Sequence, residues 1–517
     1  MDTVDSQTAE MARKKHMSIP RKLVIAALLL FTVRLVAGQT PTASFDAYAE
    51  KARTDWGVPG MAVVVVKDGN VVLARGYGVR EQGKTETVDT KTLFGMMSTT
   101  KAITAVAMSI LADEGKVDLN KPVRDYLPEF KVDDSFITAD LRVRDLLTHN
   151  SGMGNLDVLW AFTPDKTAKE MMDQLRFARP AFPTRGGYVY NNVMYFLAGQ
   201  VIERVSGKPW DQFVTERIFK PLGMNSTFAT LKASSGYSNR STAHFKVGGV
   251  AMPVGEQGAD PIASAGAVWS NADDIALWLK FVLGDGKPLL KTATFEELFR
   301  PQAILPANFY PTLQIIKPNW TTYGLGWFQH DYRGEKVDFH TGSLAGRTAI
   351  IGLLRSKKLG IYVFGNIDHI EVRHALIYKA FDTFGFNDPA GRDWSAEFKK
   401  LYDDMERQSE QQTAAVLARR LKDTKPSLPL AAYAGRYVDP IMGPITVRSS
   451  DGKLRLQIGG GAAGTLEHWQ LDTFRIVWED SFRQGESFVT FRPAAIGSTI
   501  DAMSFGGTTL RRTGPAN

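Results

Sequence analysis

Runs of β-branched residues flank turn residues at two distant places in the chain. Residues 60–67 and 71–75 lie on either side of Asp68-Gly69, a dipeptide typical of tight hairpin turns. Residues 348–354 and 360–364 repeat the arrangement around a polar turn. Each pair predicts an antiparallel hairpin, so the first large unit begins and ends with strands.

Helical spacing lies between the two hairpins. Apolar residues recur every three or four positions from Ser98 until Gly115, and again over residues 193–205 with Gly207 after them. Glycine is a natural C-terminal stop for a helix. Strands at both ends with helices between them predict an α+β domain over residues 39–392, in which an antiparallel sheet that contains the terminal strands is flanked by helices.

The pattern changes after Trp394. Residues 393–429 are charged, rich in glutamine and favourable to helix, and Pro426 and Pro429 interrupt them as in a linker. Short β-type runs then alternate with glycine and polar turns. Residues 430–517 are therefore predicted to form a small all-β barrel or sandwich.

The first 38 residues have the organisation of a secretory leader. Five basic residues precede a short apolar run at residues 23–33, and small residues follow it up to Gly38. We expect residues 1–38 to be a signal peptide, with Met17 as a second candidate start, and the mature protein to be periplasmic or secreted. An uncleaved anchor is the alternative, because the apolar length is borderline for a membrane span.

Composition narrows the chemistry. The 517 residues carry a net charge of +7, and their 44% hydrophobic and 23% charged content is ordinary for a globular protein. The chain has no cysteine, which excludes disulfides, thiolate nucleophiles and lipid attachment through cysteine. No basic block interleaved with aromatic residues occurs, so nucleic acid is not an expected partner.

Ser98 and Lys101 form a Ser-x-x-Lys motif at the start of the first predicted helix. At this spacing both side chains share one helical face, so the amine can reach the hydroxyl. The helix N-terminus adds unpaired N–H groups that stabilise an oxyanion, and a desolvated amine has a lowered pKa and can activate serine. Ser450 and Lys453 match the same motif, but on a predicted hairpin turn.

A second motif, Tyr190 with Asn192, immediately precedes the second predicted helix. A tyrosine beside an ammonium can be held partly as phenolate and shuttle the serine proton, while the amide can orient a substrate. A turn tyrosine and a helix-capping asparagine are the purely structural alternative. Tyr237 and Asn239 repeat the spacing in a loop rich in serine and glycine.

A third motif, His340-Thr341-Gly342-Ser343, follows a strand-like run. A basic group and a hydroxyl on a sheet edge can bind a carboxylate or carbonyl, and the glycine lets a substrate backbone approach. The N–H of Ser343 can join that of Ser98 as an oxyanion hole.

The three motifs, in the order Ser98, Tyr190, His340, resemble the serine β-lactamase and penicillin-binding-protein superfamily. The likeness is strongest to the class C-like branch, which includes D-aminopeptidases, alkaline D-peptidases, β-lactamases and esterases. It spans roughly residues 44–390, and residues 433–447 resemble the lipocalin-like domain often appended to this branch. Further stretches that carry it are residues 56–66, 146–152, 221–224 and 266–275.

The resemblance implies an acyl-enzyme reaction in which Ser98 is the nucleophile and Lys101 and Tyr190 transfer its proton. It assigns substrate binding to a second set of residues: Asn192, His340, Thr341, Gly342 and Ser343. One position departs from the pattern, because His340 stands where β-lactamases of this branch usually carry lysine. Histidine is mostly neutral near pH 7 and is a weaker anchor for a carboxylate, so efficient antibiotic hydrolysis is not expected.

Other histidines offer alternatives. His149 with Asp145 suggests a triad with Ser98, although the corresponding loop is structural in the related proteins. His369 and His374 lie five residues apart near acidic residues, a spacing that does not suit a zinc site on a helix. Neither a metal nor an organic cofactor is expected.

The sequence therefore predicts a periplasmic or secreted serine hydrolase acting on amide bonds of short or D-amino-acid-containing peptides. A class C-like β-lactamase or an esterase on small acyl substrates is the enzymatic alternative, and a non-catalytic scaffold that binds cell-wall peptides is the other. The expected partners are a small peptide, amide or ester substrate and, through the C-terminal domain, a second copy of the chain. No membrane span is expected after cleavage.

Overall fold

The computed structural model describes residues 40–163, 165–479, 485–495 and 498–516. The predicted leader, its cleavage site and Met17 lie outside these residues. Within the described part of the chain, no helix combines the length and apolar character needed to span a membrane.

Strands of the first unit form one large sheet and two small pairs. They are β1 (Gly60–Lys67), β2 (Asn70–Gly78), β3 (Phe94–Gly95), β4 (Ala243–Val247), β5 (Val250–Val254), β6 (Trp269–Ser270), β7 (Ala303–Ile304), β8 (Thr321–Tyr323), β9 (Phe328–Tyr332), β10 (Glu335–Leu344), β11 (Arg347–Leu354) and β12 (Leu359–Gly365). The large sheet has the order β2-β1-β12-β11-β10-β9-β8-β7 and is antiparallel.

The two predicted hairpins are adjacent in this sheet. β1 pairs with β12 from Met61 opposite Gly365 to Lys67 opposite Leu359. The first and last strands of the unit are therefore neighbours, which confirms the α+β class and the shared sheet.

Helices cover both faces of the sheet. They are α1 (Pro41–Asp55), α2 (Thr100–Asp113), α3 (Ser135–Asp140), α4 (Val143–Leu146), α5 (Ala168–Leu175), α6 (Asn192–Ser206), α7 (Trp210–Val214), α8 (Lys220–Leu222), α9 (Ala263–Gly266), α10 (Ala272–Val282), α11 (Thr292–Leu298), α12 (Leu313–Ile316), α13 (Val372–Ala380) and α14 (Trp394–Ala418). Alternate residues of β1 point to opposite faces, so Val64 joins a core with α2 and Val65 joins a core with α1 and α13. Burial on both faces explains why β1 is an uninterrupted apolar run.

The two predicted helices are present, with shifted starts. α2 is preceded by a 3-10 turn, Met97–Thr99, so Ser98 lies in that turn rather than in the α-helix. α6 begins at Asn192 and is capped by Asn191, whose side chain accepts a hydrogen bond from Val193 N at 3.0 Å. Gly207 ends α6 with a φ of +70°, a conformation that favours glycine.

The last part of the described chain is a closed antiparallel barrel that follows α14. Its strands are β13 (Gly435–Asp439), β14 (Gly443–Ser450), β15 (Lys453–Ile458), β16 (Ala463–Gln470), β17 (Thr473–Trp478), β18 (Phe488–Pro493), β19 (Ile500–Phe505) and β20 (Thr508–Gly514). Buried aromatic and aliphatic side chains, among them Tyr437 and Phe491, fill its interior. Of the two predicted all-β architectures, the barrel is confirmed.

Candidate active site

Ser98 lies in the turn just before α2, close to β10 of the large sheet. It lines a cavity of about 260 Å³ together with Thr341 and Ser343 of β10. Met97, the residue before Ser98, has a φ of +49°, which is strained for a side chain of this size. Thr99 is tied down by hydrogen bonds to Met96 O at 2.8 Å and Tyr362 Oη at 2.6 Å. The serine is therefore held on a tight, anchored turn at the mouth of the cavity.

Lys101 is completely buried beside Ser98. Its Nζ donates hydrogen bonds to Ser98 Oγ at 3.0 Å, Asn192 Oδ1 at 2.8 Å and Ala265 O at 2.8 Å. Burial lowers the pKa of Lys101 to about 7, although the negative charge of Asp157 opposes this shift. The expected lowering is confirmed, and a large share of the amine is neutral at neutral pH.

Asn192 links Lys101 to an acidic residue. Its Nδ2 donates to the two carboxylate oxygens of Asp157, at 3.0 and 3.2 Å, while its Oδ1 accepts from Lys101. Both polar ends of the amide are thus engaged within the protein. Asp157 had not been singled out in the sequence because it lies 35 residues before Asn192, and no local pattern marks the contact.

Tyr190 leads into α6 and contacts both Lys101 and His149. The Lys101 Nζ lies 4.9 Å from the centre of its ring, and the His149 ring lies 4.4 Å from it between centroids. Burial raises the pKa of Tyr190 well above its usual 10, and its hydrogen bond with Ser98 offsets this only in part. The expectation of a partial phenolate is wrong: the side chain is a neutral phenol near pH 7.

The third motif lies on β10, which passes close to Ser98. A Cβ on Gly342 would come within 2.8 Å of Ser98 N and 2.7 Å of Met96 O, so only glycine permits this approach. Thr341 and Ser343 line the cavity on either side of the glycine. The motif therefore places a polar strand edge beside the serine.

His340 lies behind the cavity wall. Its side chain is fully buried; its Nδ1 donates to Thr341 O at 2.7 Å, and its Nε2 accepts from Tyr323 Oη at 2.9 Å. Burial, with the nearby charge of Lys101, lowers the pKa of His340 to about 3. His340 is thus neutral and its two ring nitrogens are occupied, whereas substrate contact had been expected of it.

The cavity wall is largely aromatic, with one buried arginine and the exposed His369. Arg373, which the sequence reasoning missed, donates to Gly342 O at 2.6 Å and Ser343 Oγ at 2.8 Å, and pairs with Glu371 at 2.8 Å. Arg373 therefore holds the backbone of β10 at Gly342 and the Ser343 hydroxyl in place. The aromatic lining residues are Tyr188, Tyr190, Phe309, Tyr310 and Phe328.

The alternative histidine sites do not assemble. His149 is buried and its Nδ1 accepts a hydrogen bond from Asn191 N at 3.1 Å, so it supports the backbone after Tyr190. Asp145, its supposed triad partner, pairs instead with Arg185 at 2.7 Å. Within the described ranges, no three His, Cys, Asp or Glu side chains are grouped so as to hold a metal ion.

The decoy motifs lie elsewhere. Ser450 and Lys453 face each other across an exposed turn of the barrel. Tyr237 lies in a loop, and its hydroxyl donates to Lys91 O at 2.9 Å. The structure thus brings Ser98, Lys101 and Tyr190 into contact, and neither decoy belongs to this cluster.

The fold is that of the β-lactamase and transpeptidase-like serine hydrolases. The β-lactamase family model matches residues 45–383, about two thirds of the chain, and the chain therefore belongs to that family. Residues 419–505 match a second model, described as a domain of unknown function (DUF3471).

Curated relatives and solved structures agree with this membership. The chain is 28% identical to "Unguisins hydrolase ungD'" of Aspergillus campestris over 76% of its own length and 75% of the relative's. It is 27% identical to "Unguisins hydrolase ungD" of Aspergillus violaceofuscus, with coverages of 83% and 82%.

Two solved structures show the same fold. An octameric penicillin-binding protein homologue from Pyrococcus abyssi aligns with a TM-score of 0.59 and 22% identity, over 90% of this chain and 98% of that one. A class C β-lactamase from Rhodobacter sphaeroides aligns with a TM-score of 0.53 and 20% identity, over 66% and 99%.

Proposed function

We propose that the protein is a serine hydrolase that cleaves amide bonds of short or D-amino-acid-containing peptides through an acyl-enzyme on Ser98. The observation that carries this proposal is the 3.0 Å hydrogen bond from the buried Lys101 amine to Ser98 Oγ at the mouth of a cavity. A lysine with a pKa of about 7 is a competent general base at neutral pH.

In the first half of the reaction, Ser98 Oγ forms a bond to the substrate carbonyl carbon and its proton passes to neutral Lys101. The N–H groups of Ser98 and Ser343 hold the resulting oxyanion. The Tyr190 phenol then gives its proton to the leaving nitrogen and regains one from the Lys101 ammonium. The C–N bond breaks, the amine departs and an ester on Ser98 remains.

In the second half, a water molecule attacks the ester carbonyl. The water gives a proton through Tyr190 and Lys101 to the departing Ser98 oxygen, and the acid is released. At the end of the cycle Ser98, Lys101 and Tyr190 have regained their starting protonation states, so the reaction consumes only water and the substrate.

The geometry of the cavity supports a preference for peptides over β-lactam antibiotics. The polar β10 edge, with Thr341 and Ser343 beside Gly342, suits an extended peptide backbone, and the aromatic wall suits its side chains. His340 is neutral and lies behind the wall, so it offers no charge to a β-lactam carboxylate. The basic side chains of the lining, Arg373 and His369, are paired with Glu371 and Asp368. The two relatives named as unguisins hydrolases support hydrolysis as the reaction class.

The test is labelling of the purified protein with a fluorescent fluorophosphonate, read by intact mass. We expect one adduct on the wild type and on Ser450→Ala, the matched decoy, and none on Ser98→Ala. Labelling of none of the three folded proteins would favour the binding scaffold, and equal labelling of all three would mean that another serine reacts.

The substrate class follows from a turnover panel of D-aminoacyl amides, L-aminoacyl amides, short esters and nitrocefin. We expect faster turnover of the D-aminoacyl amides than of the other three. Faster turnover of nitrocefin would instead support the β-lactamase alternative, and faster turnover of short esters the esterase.

The N-terminal residues bear on where the protein acts. We infer that residues 1–38 direct the protein out of the cytoplasm, on the basis of their basic, apolar and small-residue order. N-terminal sequencing of the exported protein should begin close to residue 39, whereas a chain that retains residues 1–38 in the membrane fraction would support the anchor.

A further inference from the structure

The C-terminal barrel contacts the hydrolase unit close to the candidate site. Val158 and Phe162 pack against the hydrophobic core of the barrel, and the Phe162 ring meets the Phe505 ring edge-on at 6.1 Å between centroids. A Cβ on Gly459 would lie 2.5 Å from Thr163 Cγ2, so the barrel backbone approaches residues 157–163 as closely as a glycine allows. Residues 157–163 are called the bridging segment below.

The same segment carries Asp157 on its other side. Asp157 accepts hydrogen bonds from Asn192 Nδ2 at 3.0 and 3.2 Å and from Trp160 Nε1 at 2.9 Å. Asn192 in turn accepts the hydrogen bond from Lys101. A continuous path of contacts therefore runs from the barrel through the bridging segment to the lysine that bonds Ser98.

We propose that Asp157 is a positioning residue of the reaction: it holds the Asn192 amide with its oxygen toward Lys101, and the C-terminal barrel holds Asp157 in place through Phe162. The proposal rests on the function proposed above, and it assigns to the barrel a part in acylation.

The chemistry of an amide makes this orientation consequential. An asparagine presents NH₂ at one end and oxygen at the other, and only the oxygen can accept a hydrogen bond from an amine. Because Asp157 is an acceptor, it binds the NH₂ end and leaves the oxygen for Lys101. Without Asp157, the amide gains an alternative orientation in which its NH₂ group faces the Lys101 amine, and Lys101 loses one of its three partners.

Asp157 also acts on Lys101 through its charge. The titratable groups that face Lys101 are Asp157, His149, His340, Tyr190 and Tyr195. Burial lowers the pKa of both histidines and raises that of both tyrosines, so these four groups are neutral near pH 7. Asp157 is thus the group in this set whose carboxylate favours the charged form of Lys101.

The bridging segment lies between the core of the hydrolase unit and the core of the barrel. Asp157–Leu159 is a single 3-10 turn, and a turn of three residues has little stability of its own. Leu159 and Trp160 are buried in the hydrolase core, and packing of Val158 and Phe162 on the barrel core fixes the other side of the segment. Loosening the barrel contacts of Val158 and Phe162 should therefore displace Asp157 and, through Asn192, disturb Lys101.

The first experiment measures the rate of fluorophosphonate labelling of Ser98 against pH in the full-length wild type and Asp157→Asn. The variant keeps an oxygen acceptor for Asn192 but removes the charge that favours the Lys101 ammonium. Its half-maximal pH should therefore fall by about one unit relative to the wild type. The matched control is Asp173→Asn, an exposed acid of α5 paired with Lys169 and Arg176, which should leave the half-maximal pH unchanged.

A lower maximal rate with an unchanged half-maximal pH in Asp157→Asn would overturn the proposal, since a merely structural role predicts that pattern. If the wild type itself is not labelled, the function proposed above fails instead, so the two failures are distinguishable. If circular dichroism shows that Asp157→Asn does not fold, Asp157→Glu replaces it, because glutamate keeps the charge on a longer side chain. The half-maximal pH of Asp157→Glu should equal that of the wild type, while its maximal rate should fall.

The second experiment tests the barrel through a double-mutant cycle. Phe162→Ala should lower the maximal labelling rate by about threefold to tenfold in the wild-type background. Because Phe162 acts through Asp157, the same change should have no further effect in Asp157→Ala, in which the acceptor for Asn192 is already absent. Equal losses in both backgrounds, or no loss in either, would overturn the part assigned to the barrel. Phe162→Leu replaces Phe162→Ala if the latter does not fold.

Discussion

The chain contains the same four-residue motif twice, and the two copies differ in their surroundings. Lys101 is fully buried, donates to Ser98 Oγ at 3.0 Å and lies against aromatic rings at the start of a buried helix. Lys453 pairs across the sheet with Ser450 on an exposed hairpin of the barrel, where Asp451 takes a left-handed conformation with a φ of +53°. The two copies share their spacing and differ in burial, so burial separates the proposed nucleophile and base from the decoy pair.

The largest effect should come from removing the Lys101 amine, whereas removing the Lys453 amine should have no effect. Lys101→Met keeps an unbranched side chain of similar length but removes the base, so we expect the rate of Ser98 labelling to fall by about 10³-fold. Lys453→Met, the matched change on the barrel, should label at the wild-type rate. The measurement is the second-order rate constant of fluorophosphonate labelling at pH 7.5.

A residual rate in Lys101→Met within tenfold of the wild type would break the comparison, because it would mean that another group removes the serine proton. Circular dichroism of both variants controls for folding.

A smaller loss of activity should come from removing the Tyr190 hydroxyl, and no loss from removing the hydroxyl of Tyr237. Tyr190→Phe keeps the ring beside Lys101 but loses the phenolic proton that the leaving nitrogen needs, so turnover of an amide substrate should fall by about 10²-fold. The loss should be much smaller for an activated ester, whose leaving group needs no proton. Tyr237→Phe, in the decoy, should leave both rates unchanged.

Equal losses on amide and ester in Tyr190→Phe would contradict the assigned role and favour a role in packing.

The smallest effect on acylation is expected from a buried ion pair behind the site, although its effect on stability should be large. Arg373, Tyr310 and His374 surround Glu371. The charges and hydrogen bonds of Arg373 and His374 hold the pKa of Glu371 well below its usual range. Glu371→Gln leaves Arg373 unpaired, and we expect a loss of about 3 kcal/mol of unfolding free energy. Denaturant unfolding measures it.

The pH dependence of that stability has a definite sign. A carboxyl whose pKa is lowered on folding contributes stability that is present above its unfolded pKa of about 4.3 and is lost as the pH falls. The difference in stability between wild type and Glu371→Gln should therefore shrink below about pH 4. An exposed pair on the barrel, Arg492 with Asp501, provides the control: Asp501→Asn should leave stability unchanged. A constant difference between wild type and Glu371→Gln across this range would contradict the account.

Features of the site that depend on local spacing could be predicted from the sequence. Ser98 and Lys101 are three residues apart at the start of one helix, and their contact follows from helical geometry. The β-branched runs around turn residues predicted the two hairpins, and the order of strands and helices predicted that the terminal strands share a sheet, as β1 and β12 do.

Features that depend on contacts between distant segments could not be predicted. Asp157 reaches Asn192 across 35 residues, and Arg373 reaches Gly342 across 31. His340 was expected to face the substrate because its type and position suit an anion, but its direction depends on the Tyr323 hydroxyl on β8, two strands away in the sheet. The neutral state of Tyr190 depends on burial, which a motif does not reveal.

The pH dependence of Ser98 labelling in the wild type distinguishes Lys101 from any other base. If buried Lys101 is the base, the rate should rise with pH and reach half its maximum near pH 7, the pKa of that amine. A half-maximum near pH 4, the usual range of a carboxylate, would contradict this, as would a rise centred near pH 10, the usual range of a solvated lysine.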